Sequence, residues 1–200
     1  MINAVLVDIG NVILHIDFES PLTRLIPPEL ADPAGRLQSL LERKDEFEGG
    51  KIDDEEFFTW ASKKLQFEGP REEFIAAWNA IFRPNLPMWE TLRDLKARGL
   101  RLILFSNTNR THAEFFLPQF SEVFALFDGH VFSHEAGSVK PDPVIYHHAF
   151  EKHNLVPTET LYFDDLPENI TTGLQLGLHS WRYDSENHEA LTRWLVETLD

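Results

Sequence analysis

Short apolar runs that alternate with amphipathic segments constrain the fold of this chain more than any other feature. The predicted strands are Ala4–Val7, Leu100–Phe105, His130–Phe132, Thr160–Phe163 and His179–Tyr183. The first, second and fourth have too few polar positions for a sheet with one face in water, and such strands are typical of parallel sheets covered on both faces. We therefore predict an α/β fold built on a doubly wound, Rossmann-like and mostly parallel sheet.

Helical periodicity fills most of the remaining sequence. Between the later strands and after the last one it predicts the helices Pro87–Arg98, Pro143–His153, Pro167–Leu176 and His188–Thr198. From Phe18 to about Arg83 no convincing strand is found, and the pattern predicts only helices, at Pro28–Leu30 leading into Gly35–Glu46, then at Asp53–Leu65 and at Arg71–Phe82. We predict a small all-helical cap at residues 17–84, inserted after strand 1 of a core formed by residues 1–16 and 85–200. This position lies above the sheet edge where open α/β sheets bind ligands.

Composition excludes several classes of function. The formal net charge is −15, so a broad basic surface for nucleic acid is not expected and anionic membranes are disfavoured. The absence of cysteine excludes disulfides and thiol nucleophiles. No apolar stretch is long enough to span a bilayer, and the N-terminus lacks the basic region of a signal peptide. We predict a cytoplasmic protein that binds neither nucleic acid nor membrane.

Polar side chains stand where the predicted strands end. Asp8 follows strand 1, Ser106 and Asn107 follow Leu100–Phe105, and the pair Asp164-Asp165 follows Thr160–Phe163. Because the carboxyl ends of parallel strands lie at one edge of the sheet, we expect these groups to converge there. Lys140 opens a helix after a loop and is predicted to join them.

The carboxylates and the lysine predict a charged site. Carboxylates gathered at one sheet edge repel each other and resist ionisation, and a divalent cation removes that conflict. Oxygen ligands without cysteine favour Mg²⁺. Lys140 would balance the acids and bind an anionic substrate. The hydroxyl, amide and backbone N–H groups of Ser106 and Asn107 could form an oxyanion cradle.

These motifs, in this order, resemble the haloacid dehalogenase (HAD) superfamily. The matching segments are Val5–Asn11, Leu102–Asn109, Gly137–Pro143 and Leu161–Asn169, which together span nearly the whole chain. DIGNV, FSNTNR, KPDPVIY and FDDLPENI are further similar to a branch of bacterial sugar-phosphate phosphatases that includes the α-D-glucose-1-phosphate phosphatases. The helical insertion resembles the cap of the family's first cap class.

The resemblance implies a role for each motif residue. Asp8 would attack phosphorus and form an aspartyl-phosphate, and Lys140, Ser106 and Asn107 would hold the phosphoryl group of a small phosphorylated substrate. The implied Mg²⁺ ligands are Asp8, the backbone carbonyl of Gly10, Asp165 and, beside it, Asp164. Mg²⁺-dependent hydrolysis of a sugar phosphate, with glucose 1-phosphate as an example, is the activity that the resemblance implies.

Gly10 departs from the usual family pattern, in which a second aspartate at this position protonates the leaving alcohol. The leaving group could be good enough alone, a water or a residue such as His15 or Asp17 could supply the proton, or the reaction could be a different one. A 2-haloacid dehalogenase with Asp8 attacking carbon is one alternative, since it needs neither metal nor a second acid. A non-catalytic binding protein on the same scaffold is another.

Other conspicuous residues receive simpler interpretations. Trp60 and Trp78 could line the cleft between cap and core, although most aromatic side chains are expected in the core. The acidic runs Asp53–Glu56 and Glu42–Glu48 are predicted to be solvated helix faces.

Overall fold

The computed structural model describes residues 1–199 and confirms the predicted α/β class with its parallel sheet. The main sheet has the strand order β5-β4-β1-β6-β7, and every pair in it is parallel. Its strands are β1 (Ala4–Val7), β4 (Arg101–Ser106), β5 (Gly129–Phe132), β6 (Thr160–Asp164) and β7 (His179–Arg182). The shorter strands β2 (Leu14–Ile16) and β3 (Phe82–Pro84) pair with each other in an antiparallel manner.

Helices connect the strands and cover both sides of the sheet. Up to the end of the insertion they are α1 (Glu19–Leu22), α2 (Pro33–Ser39), α3 (Lys44–Glu48), α4 (Asp54–Leu65) and α5 (Arg71–Asn79). The later ones are α6 (Leu86–Ala97), α7 (Arg110–Gln119), α8 (Ser121–Phe124), α9 (Ser133–Ala136), α10 (Pro143–His153), α11 (Pro167–Gln175) and α12 (His188–Leu199). Within residues 1–199, none of the helices combines the length and apolar character needed to cross a membrane.

The continuous apolar strands are explained by burial on both faces of the sheet. In β1 the side chains of Val5 and Val7 belong to one hydrophobic cluster, and those of Ala4 and Leu6 belong to another. Successive side chains of a strand point to opposite faces, so both clusters need apolar residues from the same four positions. All four residues of β1 have no exposed surface.

The inserted segment forms a hydrophobic cluster of its own. Its buried members all lie between Leu22 and Trp78, and the rings of Phe47 and Phe57 stack with centroids 3.9 Å apart. This separate cluster supports the predicted division into a core at residues 1–16 and 85–200 and a cap at residues 17–84, which stays a prediction.

Local structure in and beside the insertion differs from the prediction in two respects. The predicted helix Gly35–Glu46 is wrong, because a 3₁₀ turn at Leu40–Arg43 separates α2 from α3. The expectation that no strand lies between Phe18 and about Arg83 is wrong at the end of that range, because β3 (Phe82–Pro84) pairs with β2 where the chain enters and leaves the insertion. The two segments are distant in sequence and pair through backbone hydrogen bonds, which need no apolar pattern. The sequence therefore carried no signal for these three-residue strands.

Candidate active site

A cavity of about 350 Å³ lies at the carboxyl edge of the sheet, between the sheet and the inserted helices. Asp8, Ser106, Asn107, Lys140 and Asp165 all line it, although they are distant in sequence. They meet because β1 lies between β4 and β6 in the sheet, so that these three strands end side by side. The predicted convergence at the sheet edge is therefore observed for these five residues.

Lys140 is the central cation of the site, and its side chain is only 1% exposed. Its ammonium donates hydrogen bonds to Asp8 Oδ1 at 2.9 Å, to Asp164 Oδ2 at 2.6 Å and to the backbone carbonyl of Phe105 at 2.9 Å. Burial alone would lower the pKa of Lys140, but the charges of Asp164 and Asp8 outweigh that effect and raise it above its ordinary value. Lys140 is therefore a permanent positive charge at neutral pH.

Asp8 lines the cavity and is 8% exposed. Burial raises the pKa of Asp8 to about 6; Lys140 opposes this rise, and the charges of Asp164 and Asp165 add to it. Oδ1 accepts the hydrogen bond from Lys140, and within residues 1–199 the structure shows no donor to Oδ2. One oxygen is thus held in place, while the other is available to attack a substrate.

Asp164 is fully engaged by hydrogen bonds below the cavity. Its Oδ2 accepts from Lys140 and, at 2.6 Å, from the hydroxyl of Tyr162. Its Oδ1 accepts from the backbone N–H of Leu166 and from the amide of Asn169, both at 2.9 Å. These contacts indicate that Asp164 orients Lys140. The prediction that Asp164 is also a metal ligand stays a prediction.

Asp165 and Gly10 lie on the cavity side of the acidic cluster. Oxygen atoms of Asp8, Asp164 and Asp165 come within 4.8 Å of one another, close enough to bind one cation. Burial, together with the charge of Asp164, raises the pKa of Asp165, as expected for a carboxylate whose counter-charge is missing. The donor set of carboxylate oxygens and a nearby carbonyl fits Mg²⁺.

The turn after β1 also explains why glycine and asparagine stand at positions 10 and 11. A Cβ atom at position 10 would lie 2.8 Å from Cδ1 of Ile16 in β2, so a larger residue there requires the end of that side chain to move. Asn11 has a positive φ of 53°, and its amide donates to Asp165 Oδ2 at 3.2 Å. Sequence reasoning did not single out Asn11, although asparagine is one of the few residues that tolerate this backbone conformation.

Ser106 and Asn107 both line the cavity, but their side chains are used differently. Asn107 donates from its amide to the backbone carbonyl of Lys140 at 2.9 Å and accepts from the backbone N–H of Lys140 at 2.8 Å. This paired contact fixes the loop that carries the lysine. The hydroxyl of Ser106 makes only a 3.4 Å contact with the neighbouring carbonyl, so it can turn towards a bound anion.

The cavity lining includes several aromatic side chains and one acid that the sequence analysis did not place there. Glu48 lines the cavity with its side chain only 15% exposed, so the prediction of a solvated face is wrong at this position. Trp78 lines the cavity as predicted, whereas Trp60 does not. Within residues 1–199 the cavity lining also excludes His15 and Asp17. The aromatic part of the lining consists of Phe18, Phe47, Phe57, Trp78, Phe82 and Phe116.

Comparison with known proteins places this site in a family. The family model for haloacid dehalogenase-like hydrolases matches residues 2–177. A D-ribitol-5-phosphate phosphatase of Bacteroides thetaiotaomicron is 28% identical over 190 residues, which cover 91% of this chain and 92% of that protein.

Solved structures agree with this match. A HAD-like family hydrolase from Porphyromonas gingivalis has a TM-score of 0.76 and 26% identity over 98% of both chains. A HAD family enzyme of Bacteroides thetaiotaomicron, in complex with magnesium and inorganic phosphate, has a TM-score of 0.75 and 21% identity, covering 92% of this chain and 96% of that one. At that identity the second likeness shows a shared fold only. Since the family model spans most of the chain and the motifs meet in one cavity, the protein belongs to the haloacid dehalogenase-like hydrolases.

Proposed function

We propose that the protein is a Mg²⁺-dependent phosphatase that hydrolyses small phosphate monoesters through an aspartyl-phosphate on Asp8. The observation that carries this proposal is the arrangement of Asp8, Lys140 and Asp165 around one cavity, with Oδ1 of Asp8 bound to the lysine. Relatives named as phosphatases support the reaction type.

The charge distribution of the site suits phosphoryl transfer. A phosphoryl group carries its charge on its outer oxygens, and catalysis depends mainly on positioning and on neutralising that charge. The three N–H donors of Lys140 are bound to Asp8, Asp164 and the carbonyl of Phe105, so the lysine would attract these oxygens by its positive charge. The hydroxyl of Ser106 would donate a hydrogen bond to one of them. Asp8, Asp165 and the carbonyl of Gly10 would hold Mg²⁺, which supplies further positive charge when bound.

Asp8 would perform the covalent step. Its free oxygen forms a bond to phosphorus while the bond from phosphorus to the leaving oxygen breaks. Water then attacks the phosphorus of the aspartyl-phosphate, releasing inorganic phosphate and restoring the carboxylate. Residues of the inserted segment, among them Phe47, Glu48 and Trp78, form part of the cavity lining.

The substrate we propose is a sugar phosphate, for which glucose 1-phosphate stays a specific prediction. The relative named D-ribitol-5-phosphate phosphatase supports a polyol or sugar phosphate. The cavity volume of about 350 Å³ is within the range of small-molecule sites. Aromatic rings of the lining can pack against the apolar side of a sugar ring, but they fit esters of apolar alcohols equally well. Both kinds of ester therefore belong in a substrate screen.

A screen of phosphomonoesters with Mg²⁺ and with a chelator tests the proposed reaction. We expect release of inorganic phosphate from at least one class of ester in Mg²⁺ and almost none in the chelator. Folded, metal-loaded protein that is inactive on the whole panel would instead favour a binding protein. Halide release from a short 2-haloacid without Mg²⁺ would favour the dehalogenase, for which the absence of an acid at Gly10 is the main structural argument.

Binding of Mg²⁺ is expected to stabilise the protein measurably. An ion that binds only the folded state at about 100 times its Kd adds about 2.7 kcal/mol to the free energy of unfolding. Thermal unfolding with and without Mg²⁺ measures this gain as a rise in Tm. Asp165→Asn should lose most of the rise, while Asp94→Asn, an exposed change on α6, should keep it. Equal shifts in both variants would contradict the proposed ligand set.

A further inference from the structure

Glu48 is a buried acid that the proposed mechanism does not yet use. It ends α3 in the inserted segment and lines the same cavity as Asp8. Its Oε2 is buried without a hydrogen-bond partner among residues 1–199. The nearest cation is Lys44, one turn earlier on the same helix, and its ammonium lies 3.8 Å from Oε2, beyond hydrogen-bonding distance. A buried carboxyl oxygen without a hydrogen-bond partner is costly, especially when the carboxyl group is charged. Such a group therefore calls for a functional explanation.

The cavity offers few other sources of a proton. His112 also lines it, but burial lowers the pKa of this imidazole to about 3. Its two ring nitrogens contact the carbonyl of Trp78 and the side chain of Asn109, so neither is available to a substrate. Asp8 is the proposed nucleophile and Asp165 is a proposed metal ligand. Among the carboxyl groups of residues 1–199 that line the cavity, Glu48 is the only one contributed by the inserted helices.

We propose that Glu48 is the general acid that protonates the leaving oxygen, in place of the acid that is absent at Gly10. This inference rests on the proposed phosphatase function. As Asp8 forms its bond to phosphorus and the bond to the leaving oxygen breaks, the electron pair remains on that oxygen, which takes the proton of Glu48. The water that later hydrolyses the aspartyl-phosphate gives up a proton, and Glu48 is protonated again.

The electrostatic surroundings of Glu48 agree with this role. Burial raises the pKa of Glu48 to about 7; Lys44 and Lys140 oppose the rise, and Asp45 and Asp8 add to it. An acid with a pKa near the working pH is well matched to proton transfer. Further charged or titratable groups on the segments packed against α3 are Glu42, Arg43, His134 and Glu135.

Leaving-group dependence tests the proposal directly. p-Nitrophenyl phosphate releases a stable phenolate that needs little protonation, whereas a simple alkyl phosphate releases an alkoxide that needs a proton. For Glu48→Gln we expect kcat/KM to fall by about 10²-fold or more on the alkyl ester and by less than about 3-fold on the nitrophenyl ester. The parameter kcat/KM reports steps up to formation of the aspartyl-phosphate, so slow hydrolysis of that intermediate does not obscure the comparison. The matched control is Glu46→Gln on the same helix, whose carboxylate pairs with Arg43, and it should leave both values unchanged.

Moving the acid provides a second test. In the Glu48→Gln protein, adding Gly10→Asp should restore much of the activity on the alkyl ester. A Cβ atom at position 10 would lie 2.8 Å from Cδ1 of Ile16, so Ile16→Val, which removes Cδ1, relieves that contact. A role of Glu48 in packing or in binding the substrate would not be rescued by an acid on the other side of the cavity.

The outcomes separate this proposal from the proposed function. A wild-type protein without phosphatase activity on either ester would contradict the function itself. If the wild type is active and Glu48→Gln lowers kcat/KM equally on both esters, or on neither, only the proposed role of Glu48 is overturned. If Glu48→Gln does not fold, the wild-type pH profiles decide: kcat/KM for the alkyl ester should fall as pH rises through about 7, more steeply than for the nitrophenyl ester, because the acid must be protonated. Parallel profiles would overturn the proposal.

Discussion

Asp8→Asn is expected to lower kcat by about 10⁴-fold or more. Removal of a covalent nucleophile leaves only the contributions of substrate binding and of the charged groups to catalysis. Asparagine has nearly the shape of aspartate and keeps an oxygen for Lys140, but its amide does not attack phosphorus. The measurement is steady-state release of inorganic phosphate in Mg²⁺. Acid-quenched wild-type protein should also show a phosphate adduct on the peptide containing Asp8, and the variant should show none.

The fold of the Asp8→Asn protein should be intact. The pKa of Asp8 is raised above its unfolded value of 3.8 to about 6 by burial, so the folded state binds its proton more tightly than the unfolded state does. Stability from this group is therefore present at low pH and is lost as pH rises through about 6. Removing the charge should leave the metal-free free energy of unfolding at pH 7 no lower than in the wild type. Asp94→Asn is the control. Asp8→Ala is tested as well, because deamidation of an asparagine at position 8 would regenerate the aspartate. Wild-type turnover by both Asp8 variants would refute the assigned nucleophile.

Lys140→Ala is expected to lower the free energy of unfolding by about 3–5 kcal/mol as well as to abolish activity. The lysine is bound by two buried carboxylates, Asp8 and Asp164, and its removal leaves both without their cation. Urea unfolding in a chelator measures the effect. The loss should shrink as pH is lowered towards 5, because protonation of Asp8, whose pKa burial raises to about 6, removes part of the uncompensated charge.

Two comparisons test the electrostatic cause of this loss. Lys152→Ala removes an exposed lysine whose ammonium lies 3.9 Å from Glu135, and it should change stability by less than about 1 kcal/mol. Adding Asp164→Asn to Lys140→Ala should recover part of the loss, since one unpaired charge is then absent. A loss that is the same at every pH and is not reduced by Asp164→Asn would indicate lost packing instead.

The parallel core and the position of its site could be predicted because both follow from local patterns. A strand covered on both faces must be apolar throughout, and Ala4–Val7 shows this directly. Polar residues after such strands must then meet at one edge, which placed Asp8, Ser106 and Asp165 in one cavity. The strands β2 and β3 could not be predicted, because their pairing depends on two distant segments passing side by side.

The role of each residue within the site could be predicted less well from the sequence. The adjacent acids Asp164 and Asp165 look alike in the sequence, yet one is saturated by four donors and the other lines the cavity. Asn107 lines the cavity and its amide also holds the loop of Lys140, while its role in holding the phosphoryl group stays a prediction. Which donor reaches which oxygen depends on distances of a few tenths of an ångström, and residue type alone does not fix them.

The sequence by itself determined the α/β core, the helical insertion and the set of charged residues at the sheet edge, because apolar periodicity and strand ends are properties of the chain. Only the tertiary structure decided that Glu48 lines the same cavity as Asp8, and that Asp164 binds Lys140. An acidic run such as Glu42–Glu48 has the same composition whether it faces water or a cavity. The packing of a short helix against a distant segment selects which of its side chains is removed from water, and with it the pKa and the chemistry of that group.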